Sequence, residues 1–148
     1  MKNNSFTVAV LGAGNIGSAV IKRLLEVDNE VLNLNLSKVL VSDLSKERDI
    51  DGGLLTTDFD EILNDENIDL VIEVLGGVEP GKGYIKDLLE SGKSVITANK
   101  DIIADSGSEL IQIAQKNNVC LYFEAAVAAG IPVSVSYTHL TLPTSTHG

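Results

Sequence analysis

Short apolar runs alternate along the chain with segments of helical spacing. Residues 7–11 form a continuous β-branched and apolar run that stops at Gly12, which is typical of a strand covered on both faces in a parallel sheet. Between residues 16 and 26, apolar positions recur every three or four residues and predict an amphipathic helix. The remaining predicted elements are strands at 39–41, 54–55, 69–73, 94–97 and 119–123 and helices at 58–63, 81–90 and 109–116.

This order of elements predicts the fold class. Strands that alternate with helices build right-handed βαβ units, in which a parallel sheet carries helices on both faces. Gly92, directly after the helix at 81–90, is suited to a left-handed C-cap. We therefore expect an α/β fold of the Rossmann type, with a doubly wound, mostly parallel sheet.

Composition limits the class of protein. The 148 residues suffice for one domain, and 44% hydrophobic against 22% charged residues excludes a disordered chain. Apolar stretches are too short to span a membrane, and the N-terminus lacks a signal-peptide pattern. The single cysteine, Cys120, excludes an internal disulfide and fits a reducing cytoplasm, so we expect a cytoplasmic protein. We expect Cys120 to be a buried structural thiol.

The charge balance limits the partners. With 21 acidic against 11 basic residues, the formal net charge is −10. Nucleic acids and anionic membranes bind clustered Lys and Arg, so we expect neither as a partner. A phosphate-bearing ligand would have to be held by backbone N–H groups and a helix dipole.

A glycine-rich turn joins the first predicted strand to the first predicted helix. Its sequence is Gly12-Ala13-Gly14-Asn15-Ile16-Gly17, which matches G-x-G-x-x-G in the context that dinucleotide binding requires. Gly12 permits the tight turn, Gly14 leaves room for a pyrophosphate, and Gly17 allows close packing of the helix. The alternative is a plain strand-to-helix turn, but the flanking elements favour a dinucleotide.

Asp43 ends the second predicted strand, where such folds place an acid that binds the adenosine ribose. It lies farther from the glycines than the usual distance of about 20 residues, and we attribute the excess to an insertion at 28–37 before the strand. Asp43 is equally suited to capping its own turn, because Asp often accepts hydrogen bonds from nearby backbone. Both interpretations remain open.

Several further segments resemble one family. In chain order they are Asp43-Leu44-Ser45-Lys46, the run at 72–80 with Gly76-Gly77, Thr97-Ala98-Asn99-Lys100, and the alanine-rich run at 123–132. With the glycine turn, they closely resemble the homoserine dehydrogenase family over residues 5–133. The resemblance implies an NAD- or NADP-dependent oxidoreductase of threonine and methionine biosynthesis. Such an enzyme converts L-homoserine to L-aspartate 4-semialdehyde, or the reverse, and the full-length protein is expected to be a homodimer.

The resemblance also implies site residues. The pyrophosphate would be cradled by Gly12, Ala13, Gly14, Asn15 and Ile16. Gly76 and Gly77 would line the crevice near the nicotinamide, and Thr97 and Lys100 would face it. Lys100 is the implied catalytic residue, since an ammonium there would polarise the semialdehyde oxygen. The alternative for Lys100 is a solvated lysine in a loop.

A monovalent cation, typically sodium, is a further implied ligand. The matching positions are Glu124, Val127, Ala129 and Ile131. The last three would bind only through backbone carbonyls. The identity of their side chains is therefore weak evidence for a cation site. Alternatively, Glu124 caps or pairs locally while the alanine-rich run packs tightly.

Two departures from the family pattern matter. Many members have an arginine just before the aspartate of the second strand, where it can contact a 2′-phosphate, but this chain has Ser42. Cofactor preference is therefore open between NAD and NADP, with Lys46 as a substitute cation. Residues 134–148, which hold both histidines, match nothing in the family, and we expect an artefactual, disordered tail in place of the substrate and dimerisation domain.

This truncation predicts a cofactor-binding domain at 1–133 that cannot turn over homoserine alone. Two other functions are consistent with the same scaffold. One is a non-catalytic NAD(H)-sensing module, and the other is a different dehydrogenase such as an aspartate dehydrogenase or a dihydrodipicolinate reductase. The segments at 97–100 and 123–132 argue against a different dehydrogenase.

Overall fold

A computed structural model describes residues 5–26 and 33–123. The chain divides into two compact units, Met1–Leu75 and Gly76–Gly148. Within the described residues, no helix is long and apolar enough to cross a membrane.

The first unit is a parallel sheet with helices. Its elements are β1 (Ser5–Leu11), α1 (Asn15–Glu26), β2 (Asn33–Leu40), a 3-10 turn (Gly52–Leu54), β3 (Leu55–Thr56), α2 (Phe59–Leu63) and β4 (Leu70–Glu73). All pairings are parallel, and the strand order is β3-β2-β1-β4. In this order β2 and β4 lie on opposite sides of β1, as in the first four strands of a Rossmann sheet. The predicted α/β fold class is confirmed.

Burial explains why β1 lies inside the sheet. Val8, Ala9, Val10 and Leu11 are each 0% exposed, so both faces of the strand are covered. This confirms the interpretation of its unbroken apolar run. Ile21 on α1 packs with Val10 in one buried cluster, which anchors the helix on the sheet.

The second strand corrects a prediction. β2 begins at Asn33, so residues 33–37 are not an insertion before the strand as we expected. Polar and apolar residues alternate from Asn33 to Leu36, and this pattern is typical of a strand with one buried face. The register with β1 shifts between Val8 and Ala9, which interrupts the alternation in sequence and hides the strand. The brief strand predicted at 54–55 begins one residue later, at Leu55.

The second unit contains α3 (Gly81–Glu90), β5 (Ser94–Thr97), α4 (Lys100–Lys116) and β6 (Leu121–Tyr122). The bounds of α3 and β5 match the predictions, and β5 pairs with β6 in parallel. Gly92 has φ +93 after α3, which confirms it as a left-handed C-cap. Lys82 on α3 forms ion pairs with Asp105 at 3.4 Å and Glu109 at 3.9 Å on α4.

The helix α4 is longer than predicted. We expected a helix at 109–116, whereas α4 begins at Lys100 and contains a kink at Ser106, where φ is −142. Ser106 and Gly107 are weak helix formers, and they separate two apolar patterns that are individually short. Lys100 therefore lies in the first turn of a helix and not in a loop.

The end of the second unit differs from the prediction at Cys120. The strand expected at 119–123 is confined to Leu121–Tyr122, and Cys120 is only partly buried. Hydrogen bonding to the Cys120 side chain, and then burial, raises the pKa of Tyr122 to about 12.

We expect one of the three tyrosines to ionise late in an alkaline titration of phenolate absorbance. A folded-state pKa above the ordinary value of about 10 favours folding below pH 10, and this contribution is lost as the pH rises through about 12. Tyr122→Phe should remove the late step. Cys120→Ala should move it toward the ordinary value, and a late step unchanged by Cys120→Ala would show that the thiol is not its cause.

Candidate functional site

The glycine turn lies where three parallel strands end. The N–H of Gly12 donates to the carbonyl of Leu40 at 2.9 Å, and the N–H of Val74 donates to the carbonyl of Leu11 at 3.0 Å. β1 is therefore held on both sides up to its last residue. The turn follows at the point where the strand order reverses, which is where open α/β sheets bind ligands.

Two glycines in this turn are required by packing. Gly12 has φ +108, and a Cβ there would lie 3.1 Å from the carbonyl oxygen of Val74. A Cβ on Gly17 would lie 2.5 Å from the carbonyl oxygen of Gly12. The start of α1 therefore packs against the backbone of the turn itself. The predicted roles of Gly12 and Gly17 agree with this geometry.

Gly14 differs from both. It is exposed, and a Cβ added there would meet nothing within 4 Å. The fold does not need a glycine at this position, so the absence of a side chain leaves open space above the turn. This is the space that a pyrophosphate approaching the backbone would occupy.

Backbone N–H groups at the start of α1 lie next to this space. The first helical bond runs from the N–H of Ser18 to the carbonyl of Gly14 at 2.7 Å. The N–H groups of Asn15, Ile16 and Gly17 precede it and have no partner within the helix. Ile16 is 64% exposed beside them, although it is a large apolar residue. These N–H groups and the helix dipole favour a bound anion.

We expect Gly17→Ala to destabilise the fold. The added methyl would collide with the main chain of Gly12, which cannot rotate away as a side chain would, and such overpacking costs about 1–3 kcal/mol. Thermal or urea unfolding measures the loss. Gly14→Ala is the matched control and should change stability little, so equal losses for both variants would contradict the packing described for Gly17.

Asp43 follows β2 and caps its own turn. Its Oδ1 accepts hydrogen bonds from the N–H of Ser45 at 2.9 Å and from the Ser45 hydroxyl at 2.6 Å. The hydroxyl bond and then the N–H bond lower the pKa of the Asp43 carboxyl, with a smaller contribution from nearby Arg48 and Lys46. The local cap is therefore present. It uses one carboxylate oxygen, and ribose binding by the other stays a prediction.

Arg48 belongs to the same loop, and sequence reasoning did not single it out. Its Nη1 donates to the carbonyl of Asp43 at 2.7 Å and to that of Lys46 at 3.3 Å. A guanidinium is thus held beside Asp43 by backbone acceptors. No motif signals this contact, since the acceptors carry no side-chain identity.

The second unit has its own polar cluster, centred on Asn99. Its Oδ1 accepts from the N–H groups of Asp101 at 3.1 Å and Ile102 at 3.2 Å, so Asn99 is the N-cap of α4. Its Nδ2 donates to the carbonyl of Gly77 at 2.7 Å. The asparagine therefore joins the Gly76–Gly77 segment to the start of the helix that carries Lys100. We did not predict this role, although an Asn before a helix is a recognisable cap signal.

The predicted residues around Asn99 differ in exposure. Thr97 is 1% exposed, and its hydroxyl accepts the N–H of Asn99 at 3.0 Å. Gly76, Gly77 and Lys100 are exposed, and Gly77 has φ +73. Asn99 thus links Gly77 to the segment that carries Thr97 and Lys100. Contact of these residues with a cofactor stays a prediction.

Glu73 is a buried acid that the sequence analysis passed over. It is 0% exposed at the end of β4, and its Oε2 accepts the N–H of Leu75 at 2.9 Å. An acid in an otherwise apolar strand is a usable signal, because buried carboxylates need hydrogen-bond partners. Here the carboxylate fixes the chain as it leaves the strand.

The implied cation ligands Glu124, Val127, Ala129 and Ile131 lie outside the described residues, as do His139 and His147. Among residues 5–26 and 33–123, no group of three or more His, Cys, Asp or Glu side chains is arranged to hold a metal.

Comparisons with known proteins identify the family of this chain. The family model "Homoserine dehydrogenase, NAD binding domain" matches residues 12–124. The homoserine dehydrogenase of Bacillus subtilis is 44% identical over 133 residues and covers 85% of this chain and 31% of its own length. That of Mycobacterium bovis is 46% identical over 132 residues, with 85% and 30% covered.

A solved structure gives the same result. The crystal structure of S. aureus homoserine dehydrogenase at pH 6.0 has a TM-score of 0.74 and 39% identity, and the match covers 81% of this chain and 33% of that chain. The chain thus spans about a third of the length of these relatives. The matched region includes the glycine turn, the Asp43 loop and the Asn99 cluster, and the chain belongs to the homoserine dehydrogenase family, as its NAD-binding domain.

Proposed function

We propose that this chain is the dinucleotide-binding part of a homoserine dehydrogenase and binds NAD or NADP. The whole protein would interconvert L-homoserine and L-aspartate 4-semialdehyde. The observation that carries the proposal is the glycine turn, where Gly12 and Gly17 are fixed by packing but Gly14 is not. The open space above Gly14 lies at the start of α1, where backbone N–H groups and the helix dipole favour a bound anion.

We propose that backbone N–H groups hold the pyrophosphate. The N–H groups of Asn15 and Ile16 donate to its oxygens, and Ala13 and Gly14 leave it room to approach. The formal net charge of −10 opposes an anion at long range, but a helix N-terminus attracts it at short range. Ile16, exposed at this end of α1, would be covered by the bound cofactor.

The adenosine ribose is assigned to Asp43. Its Oδ1 accepts hydrogen bonds from Ser45, and its Oδ2 accepts none from the described residues. A carboxylate oxygen of this kind accepts hydrogen bonds from ribose hydroxyls. The turn that Asp43 caps then contributes to ribose binding as well, because it fixes the orientation of the carboxylate.

The nicotinamide end is assigned to Gly76, Gly77, Thr97 and Lys100. When bound, the nicotinamide supplies the acceptor or donor of hydride. Lys100 contributes positive charge for the reacting oxygen and holds or releases a proton at Nζ. A cation in the first turn opposes the helix dipole, so the position of Lys100 is not explained by helix stability.

The remaining assignments concern the full-length enzyme. We propose that Glu124 and the carbonyls of Val127, Ala129 and Ile131 bind a monovalent cation such as sodium. We further propose a homodimer in the cytoplasm, with 1–133 as the cofactor domain and 134–148 as an unrelated tail. The resemblance at 123–132 supports the cation assignment.

Titration calorimetry of this chain with NADH and with NADPH tests the proposal. We expect one molecule of cofactor bound per chain and no turnover of homoserine. Joined to the substrate domain of a relative such as the Bacillus subtilis enzyme, residues 1–133 should support homoserine oxidation, and Lys100→Ala should abolish it while leaving most cofactor affinity. Failure to bind either cofactor would refute the proposal, and cofactor binding without activity in the joined protein would favour a sensing module.

A further inference from the structure

We infer that Arg48 recognises the adenosine 2′-phosphate and so determines acceptance of NADP by this chain. The inference rests on the proposed cofactor function and adds a specificity-determining residue to it. The family pattern instead brings forward position 42, which is a serine in this chain, and Lys46.

The position of Arg48 is the first argument. Its Nη1 bonds to the carbonyls of Asp43 and Lys46 draw the guanidinium back toward the end of β2. The positive charge of Arg48 acts on the Asp43 carboxylate, since it contributes to lowering the pKa of that group. An arginine near the ribose-binding acid is the arrangement that accommodates a 2′-phosphate in this class of fold.

The unused donors of Arg48 are the second argument. Both of its hydrogen bonds come from Nη1, and within the described part of the chain nothing accepts from Nε or Nη2. Glu47 and Asp49 flank it in sequence, yet neither forms an ion pair with it among the described residues. The guanidinium is therefore oriented without being neutralised. Two N–H groups in a planar fork match the oxygens of a phosphate.

A comparison with Lys46 supports the choice of Arg48. Lys46 is exposed and its ammonium forms no hydrogen bond or ion pair with the described residues, whereas Arg48 is partly buried and tethered at two carbonyls. A tethered donor loses less conformational freedom when it binds than a free one. Lys46 adds positive charge to the loop, but Arg48 provides the oriented contact.

Asp43 and Arg48 together predict how the two cofactors are distinguished. With NADH, the carboxylate accepts from the ribose hydroxyl and the free N–H groups of Arg48 remain in solvent. With NADPH, the 2′-phosphate meets Nε and Nη2, and this offsets its repulsion by Asp43. The loop therefore accepts both cofactors, and removing Arg48 should affect only NADPH.

The test compares NADPH and NADH binding by calorimetry in the wild-type chain, Arg48→Gln and Arg48→Ala. Gln retains a donor for the Asp43 carbonyl, so it separates lost charge from a disturbed loop. We expect Arg48→Gln to weaken NADPH binding roughly 10- to 100-fold, as expected for lost charged hydrogen bonds, and to leave NADH binding within about threefold. Arg23→Gln, on the exposed side of α1, is the matched control and should change neither.

Each of the other outcomes contradicts a specific part of the proposal. A wild-type chain that binds neither cofactor refutes the proposed function, and the inference fails with it. Binding of both cofactors with an equal loss in Arg48→Gln means that Arg48 only supports the loop. An unchanged NADPH affinity in both variants excludes Arg48 as the phosphate ligand.

Discussion

Gly14→Val should lower the affinity for NADH and for NADPH by at least about 100-fold. Two charge-assisted hydrogen bonds lost to a misplaced pyrophosphate cost about 3 kcal/mol or more, and each 1.4 kcal/mol is tenfold in affinity. The valine side chain would project into space that no atom of the protein occupies within 4 Å of the Cβ. A clash should therefore not destabilise the fold. Valine is a poor N-cap residue, and we expect this to lower the free energy of unfolding by no more than about 1 kcal/mol.

Gly52→Val is the control for this experiment. A Cβ on Gly52 likewise meets nothing within 4 Å, and the residue is exposed in the 3-10 turn before β3. It should retain affinity for both cofactors. If Gly14→Val bound them as well as Gly52→Val does, the space above Gly14 would not be the pyrophosphate site.

The second large effect is expected at Asn99. Asn99→Ala removes an N-cap, worth about 0.5–2 kcal/mol, and the hydrogen bond to Gly77, worth about 0.5–1.5 kcal/mol. We therefore expect a loss of about 2–3 kcal/mol in the free energy of unfolding. Urea denaturation followed by circular dichroism measures it.

Asn99→Asp separates the two roles. The aspartate keeps an oxygen that caps α4 but has no N–H to give the Gly77 carbonyl. We expect it to lose about half as much stability as the alanine variant. An aspartate variant as unstable as Asn99→Ala would mean that the cap contributes nothing, and one as stable as wild type would mean that the link to Gly77 does not matter.

Much of the fold is predictable because the relevant signals are local. The run at 7–11 has no polar residue, so it predicts a strand covered on both faces, and its measured burial agrees. The bounds of α3 follow from helical spacing and from Gly92, whose positive φ the sequence anticipates. In each case the physical cause lies within a few residues of the element itself.

Two elements were mispredicted because their causes are not local. β2 is a strand from Asn33 because β1 supplies hydrogen-bond partners along its whole length, across a shift in register. The first half of α4 is helical although Ser106 and Gly107 favour neither helix nor strand. Pairing and packing override weak local preference in both segments.

The same distinction applies to the site. The roles of Gly12 and Gly17 were predictable, since a glycine matters for what its backbone permits. The loop contact of Arg48 and the bond from Asn99 to Gly77 were not, because each is made to a backbone carbonyl that any residue would offer. In the case of Asn99 that carbonyl lies 22 positions away in the sequence.

Amide chemical shifts test the central claim most directly. Two-dimensional NMR of the isotope-labelled chain, titrated with ADP-ribose, reports each backbone N–H separately and includes the pyrophosphate without the nicotinamide. We predict that the largest shifts occur at Gly14, Asn15 and Ile16, with a smaller response at Asp43. Saturable shifts confined to other residues, or none at all, would contradict docking of the diphosphate on this turn.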